Sequence, residues 1–382
     1  GRGGGSAQGS GATVTQRQPS PMVRASAHVR LLDVLGNLLT QPLRGLYLLG
    51  TLAIVAYRLT KRTQRGRGVA NGSSGTAAMV MWQRYRGAEL GFGPDTLARI
   101  FVPVTHRNDA PWVFEKLQGV IQGLRWRIAR RITMEEDMYW GIRCLLLGVP
   151  EAAKAFPGDM GIGFHHCRTS WLDSLLLDDP PPQLVILGSG FDTRAYRLAS
   201  PGTRVWEVDV PTTQAEKCSM LQEAGVSTRH VTFVPVDFET QDVIDELIRA
   251  GLDPMAKTLI IWEGVTYYLS EQAVRSTLCS IANRMQQAHV AFDVFYDWFA
   301  HSSGLRFIMR RGFGEPFRCG VPTGDEGRLA RESGLQVLSV STAEELSLKY
   351  CPRRADGNLS CSCFGAVAFV LASTTKATSK SS

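Results

Sequence analysis

The stretch Gln183-Leu-Val-Ile-Leu-Gly-Ser-Gly-Phe-Asp-Thr-Arg194 decides how this chain reads. Five apolar residues, too few for a buried helix, run straight into Gly188-Ser-Gly190, and a helical segment follows. A short apolar run closed by glycine is the mark of a strand buried on both faces of a parallel sheet. The two glycines let backbone N–H groups approach a ligand with no Cβ in the way. The third glycine of a dinucleotide fingerprint would fall at position 193, which is threonine. By itself, Gly-x-Gly is equally a tight strand-to-helix turn.

Working outward, the same punctuation repeats. Thr203–Val208, Val231–Pro235, Thr258–Trp262, His289–Val294, Leu335–Val340 and Phe364–Leu371 read as six further strands. Between them lie helical periods. Pro211 suits a first helical position and Gly225 the residue past a last one. Val243, Ile244, Leu247 and Ile248 make one apolar face. Ser270 is placed to cap a helix carrying Val274, Leu278, Ile281 and Met285. Alternating strands and helices predict an α/β domain on a mostly parallel sheet. Residues 76–182 read as mostly helical, a cap on that sheet rather than an independent module.

Four carboxylates fall at the ends of successive strands: Glu207 and Asp209 after the second, Asp237 after the third, Glu263 after the fourth. The carboxyl ends of parallel strands are where α/β proteins bind ligands, and an acid after the second strand suits ribose hydroxyls. Either a nicotinamide dinucleotide or S-adenosyl-L-methionine satisfies this pattern. An acid-lined mouth repels a pyrophosphate and attracts a sulfonium with its ammonium, which favours the methyl donor.

The segments Val185-Ile-Leu-Gly-Ser-Gly-Phe-Asp-Thr-Arg-Ala-Tyr-Arg-Leu198, Glu207-Val-Asp-Val-Pro211, Val236-Asp-Phe238 and Trp262-Glu-Gly-Val-Thr-Tyr-Tyr-Leu269, in that order, resemble the leucine carboxyl methyltransferase family, in particular its bacterial-type branch. Thr76-Ala-Ala with Arg84-Tyr-Arg86, Phe164-His-His-Cys-Arg-Thr-Ser170 and Gly314-Glu-Pro-Phe317 resemble further motifs of that branch, so the likeness spans about residues 75–371. It implies a Rossmann-like class I methyltransferase fold: a seven-stranded, mostly parallel sheet with an antiparallel last strand and an N-terminal helical cap. It implies S-adenosyl-L-methionine as cofactor. On this resemblance Arg168 grips the methionine carboxylate and Gly188 and Gly190 pass beneath the cofactor. Asp209, or alternatively Glu207, takes the ribose hydroxyls. Asp237 and Phe238 flank adenine, and Glu263 faces the amino-acid end. Asp192 and Arg194 are expected to be an ion pair supporting the turn. The Asp-Thr-Arg continuation departs from the animal enzymes, so the phosphatase C-terminus is not the expected substrate.

The expected reaction is O-methylation of a carboxylate or hydroxyl on a small molecule or protein. A nicotinamide-dinucleotide-dependent reductase and an inactive cofactor-binding scaffold are the competing readings. Methyl transfer chiefly requires alignment, and only a hydroxyl acceptor needs a base. No strong base stands out; Tyr267, Tyr268 and His165 are candidates for the acceptor pocket. The seven histidines show no metal-ligand spacing, and eight scattered cysteines without a CxxC pair read as buried thiols rather than a zinc module or disulfide scaffold.

Composition excludes other classes. With 382 residues, 44% hydrophobic and 20% charged, the chain is an ordinary globular one with room for a large core. The net charge of +7 is misleading. Residues 1–90 hold twelve Lys/Arg and two acids, so the remainder is slightly acidic and no nucleic-acid surface is expected. The expected organisation is a basic disordered segment at 1–30, an apolar and then basic segment at 31–74, a cap at 75–182, the catalytic core at 183–372 and a disordered tail at 373–382. The uncharged run Gly45–Tyr57, followed by five basic residues between Arg58 and Arg67, fits membrane association through residues 31–67 with the body on the cytoplasmic side. An organellar (plastid or mitochondrial) targeting peptide and a soluble helix remain open beside it.

Overall fold

A computed structural model describes residues 75–89, 91, 93–101, 160–310, 314–353, 357, 359 and 361–374. Residues 31–67 lie outside this set. Among the described residues no helix is long and apolar enough to cross a membrane.

Seven strands form one sheet: β1 Gln183–Leu187, β2 Arg204–Asp209, β3 Val231–Pro235, β4 Thr258–Trp262, β5 Ala288–Phe295, β6 Gln336–Thr342 and β7 Val367–Ser373. Their spatial order is β3-β2-β1-β4-β5-β7-β6. β7 runs antiparallel between β5 and β6, and the pairings among β1 to β5 are all parallel. The expected sheet is therefore present. The order reverses between β1 and β4, which opens a crevice at the carboxyl edge directly above Gly188.

Strands β1, β3 and β4 have the boundaries their apolar runs predict. Phe364, expected inside the last strand, precedes it: pairing of Phe295 with Val367 and of His289 with Ser373 sets the register, and the apolar run begins before that pairing does. β3 is an edge strand, which accommodates Pro235.

Alternate strand residues enter two cores. Leu184, Ile186, Ile261, Ala291 and Phe369 face helices α2 (Met160–Asp178) and α7 (Ala343–Tyr350). Val185, Leu187, Trp206, Trp262 and Phe292 face α4 (Val243–Arg249), α5 (Glu271–Arg284) and α6 (Arg328–Glu332). Full burial of each large side chain stabilises by about 1.5–3 kcal/mol. The helix starts follow from local chemistry. Pro211 opens α3 (Pro211–Glu223). Ser270 accepts from the Ala273 N–H at 3.2 Å to open α5. Thr342 and Glu345 form a reciprocal capping box on α7.

The N-terminal helix α1 (Gly75–Glu89) and the short helix Thr96–Phe101 close over the first crossover. Met81, Ala98 and Phe101 pack with Phe191, Met220 and Leu221, and the rings of Phe101 and Phe191 lie 5.1 Å apart. The described part of residues 75–101 is thus mostly helical and seated over the first crossover, whereas α2 packs on one face of the sheet.

Candidate functional site

At the end of β1 the backbone turns through Gly188 and Gly190, both left-handed (φ 63° and 41°). A Cβ on Gly188 would come within 2.3 Å of the Val265 side chain, so no other residue fits there. Ala77 of α1 reaches down to Gly190. Asp209, at the tip of β2, secures the turn: its two carboxylate oxygens accept from the N–H groups of Gly190 (2.6 Å) and Val210 (2.7 Å). Burial raises the Asp209 pKa against these two donors. Each oxygen keeps a second lone pair for a ligand hydroxyl.

Glu207 lies two residues deeper in the same strand, flanked by β1 and β3. It is fully buried and answered by the equally buried Lys217 ammonium at 2.6 Å. Sequence pattern alone left Glu207 and Asp209 interchangeable; depth in the sheet separates them.

Beneath the turn lies a buried layer of charge. Arg194 pairs with Asp192, with Asp173 at 2.8 Å and with Glu263. The ion pair expected between Asp192 and Arg194 is present and extends further than the sequence suggested. Arg84 pairs with Glu263 and lies 3.7 Å from Asp95. Arg197 joins Asp173 to Asp95. Arg168, 1% exposed, places Nε 2.8 Å from Glu263 in ion-pair rather than hydrogen-bond geometry. Its Nη1 donates to Asp293 at 2.9 Å and to the Tyr267 hydroxyl at 3.2 Å. The face of its guanidinium covers the Phe164 ring at 4.6 Å.

Burial alone would lower the Arg168 pKa, but Glu263 and Asp293 drive it upward. Burial likewise opposes ionisation of Glu263, yet Arg84, Arg194 and Arg168 hold it well below the usual carboxylate range. Among the described residues, four arginines thus face five carboxylates (Asp95, Asp173, Asp192, Glu263 and Asp293), a formal excess of one negative charge, with burial raising the Asp293 pKa against Arg168.

The remaining expected residues line the same edge. Asp237 is exposed after β3, with Oδ1 accepting from the Glu239 N–H at 3.0 Å. Phe238 stacks on Trp262 with centroids 5.8 Å apart, a flat wall at the mouth. Tyr267 is wedged against Phe295 at 3.9 Å, and Tyr268, half-buried, contacts Tyr267 and Phe317. The buried His165 offers Nδ1 to Arg168 Nη2 at 3.4 Å. Burial, then Arg168 and Arg84, lower its pKa well below the usual histidine value, so the ring is neutral at pH 7.

Sequence reading missed Asp293, Asp173 and Lys217, and noted Arg84 only as part of a motif. Asp293 carried a signal: a single carboxylate inside the apolar run His289–Val294 must have a buried partner. For Asp173 and Lys217 no such signal exists.

These residues suit a cationic sulfonium nucleoside. A Cβ-free turn lies under the crevice, an acid ends β2 and others follow β3 and β4, and the formal charge beneath is net negative among the described residues. Among the described residues, a pyrophosphate over this turn would face the carboxylates of Asp209 and Asp237.

Residues 146–282 match the family described as leucine carboxyl methyltransferase. A Frankia alni protein named for S-adenosyl-L-methionine-dependent methyltransferase activity is 41% identical over 116 residues, 29% of this chain and 40% of that protein. A Streptomyces coelicolor protein named likewise is 40% identical over 122 residues, 31% of this chain and 43% of its own length. A second Frankia alni protein so named matches at 34% over 178 residues, 42% of this chain and 61% of that one. The chain therefore spans less than two thirds of these relatives. Among solved structures, magnesium protoporphyrin IX methyltransferase from Synechocystis superposes with a TM-score of 0.37 at 14% identity, covering 63% of this chain and 95% of that one.

Proposed function

We propose, from the match of residues 146–282 to the family described as leucine carboxyl methyltransferase, that the chain is an S-adenosyl-L-methionine-dependent methyltransferase acting on an oxygen acceptor. The observation that carries this reading is the ring of carboxylates around the Gly188–Gly190 turn, above a layer with excess negative charge. When bound, the cofactor supplies a methyl group made electrophilic by its sulfonium.

The chain's own residues would divide the work as follows. Asp209 accepts from the ribose hydroxyls while its backbone donors hold it in place; Glu207, committed to Lys217, serves the fold instead. Phe238, backed by Trp262, packs on the adenine face, and the free oxygen of Asp237 accepts from the adenine amino group. Glu263, held ionised by three arginines, attracts the cationic amino-acid end. Arg168 has two tasks, orienting Glu263 and offering positive charge to the methionine carboxylate. Tyr268 borders the acceptor side, where a carboxylate needs no base and a hydroxyl would require one. Residues 31–67 would bring this body to a lipid surface; vesicle pelleting that is unchanged on deleting residues 1–70 would refute that role.

Calorimetric titration of the full chain with S-adenosyl-L-methionine tests the cofactor. Asp209→Ala should weaken binding by about 1–3 kcal/mol, and Glu207→Gln, if folded, should not act through ligand contact. Binding of a nicotinamide dinucleotide instead would overturn the reading. Transfer of labelled methyl from the cofactor into a cell extract then reports the acceptor: base-labile label marks a carboxyl ester, base-stable label an ether.

A further inference from the structure

We propose that Cys167 and Cys351 form a dithiol site oxidised by hydrogen peroxide, a property independent of methyl transfer. Four of the eight cysteines gather in one place: Cys167 on α2, Cys351 just past α7, and Cys361 and Cys363 on the segment leading into β7. All four are buried and reduced. The sulfurs of Cys167 and Cys351 are 3.3 Å apart, closer than an ordinary sulfur–sulfur contact and about 1.3 Å from the ~2.05 Å of a disulfide bond. Among the described residues no group of three or more such side chains is arranged to hold a metal ion.

The two thiols are not equivalent. Cys167 is wholly enclosed, whereas Cys351 keeps 6% of its residue surface exposed and is the less enclosed of the two. Hydrogen bonding with Cys167 and Cys361 holds the Cys351 thiol well below its usual range, while Cys167 is pushed up. Cys351 is therefore the thiolate, the form that attacks.

The Cys351 thiolate displaces hydroxide from the peroxide O–O bond and becomes a sulfenic acid. Cys167 then attacks that sulfur, its thiol proton leaving with the sulfenic hydroxyl as water. In sum, two thiols and one peroxide give one disulfide and two waters. The new bond ties α2 to the end of α7 at the residue before Arg168.

The test treats the full chain with hydrogen peroxide, counts thiols after denaturation and maps the cross-link by mass spectrometry. Two thiols should disappear, a Cys167–Cys351 peptide should form, and dithiothreitol should reverse both. Cys351→Ser should abolish the loss. Cys167→Ser should leave a sulfenic acid on Cys351 that dimedone traps, and Cys218→Ser should behave as the parent. A cross-link between other cysteines, no cross-link, or a copurifying zinc ion that must be chelated before these thiols react would each overturn the proposal. If the serine variants fail to fold, the cross-link map of the parent chain decides alone.

Discussion

Helices α2 and α5 lie on opposite faces of the same sheet, and they are built on different rules. α5 shows one apolar stripe to the sheet (Val274, Leu278, Ile281) and leaves Glu271 and Arg284 toward water, with Ser270 capping its start. α2 is enclosed on both sides. Its His165, Thr169 and Asp173, four apart, and Arg168 beside them enter the charged layer. Its Cys167, Trp171, Leu172 and Leu176 enter the apolar core. An α5-type helix is held by burying hydrocarbon. An α2-type helix is held by keeping every buried charge answered, so removal of one partner strands the others.

That contrast can be broken at several points. Arg194→Met deletes a fully buried cation facing Asp192, Asp173 and Glu263, and should cost about 3–5 kcal/mol of unfolding free energy in urea. A loss under about 1 kcal/mol would mean that the layer is not a cooperative unit.

His165 gives the layer a pH signature. Its native pKa is depressed, so below the unfolded value of about 6.5 the unfolded chain takes up a proton that the native ring refuses. Stability from this site is complete above about pH 6.5 and declines as pH falls, by at most about 1.4 kcal/mol per pH unit until the native ring titrates. The difference between parent and His165→Gln, measured by denaturation across pH 5 to 7, isolates this slope; parallel curves would refute it. Glu263 acts lower, its depressed pKa giving stability that is present above about 4.3 and lost beneath it.

On the α5 side the expected changes are milder. Ser270→Ala removes one cap and should cost about 1 kcal/mol. Lys257→Ala breaks an exposed pair with Asp179 and should cost less than about 1 kcal/mol, diminishing with added salt.

The same contrast explains what could be read in advance. Strands β1 and β4 and helices α3 and α5 announce themselves because one local period or one terminal residue sets each of them. The turn at Gly188 and the acids Asp209 and Glu263 are legible because they follow strands. Within the charged layer the Asp192–Arg194 pair is legible from its local motif, but most of the longer-range partners are not. Asp95, Asp173, Arg194 and Asp293 come from four distant segments, and nothing near Asp173 along the chain announces that it will meet Arg194 and Arg197. Glu207 and Asp209 share a face and a charge, and only the neighbouring strands decide which one is sealed.

The placement of β7 between β5 and β6 bears on how the chain matures. Until residues 367–373 have emerged from the ribosome, β5 presents a bare row of amides and carbonyls, and β6 has no neighbour to dock on. The first five strands can assemble during synthesis, but the sheet stays open along that seam until β7 slots in. A nascent chain whose exposed part ends shortly before Val367 should accordingly be protease-sensitive around β6 and prone to self-association, a hazard that ends once the seven residues of β7 are exposed too.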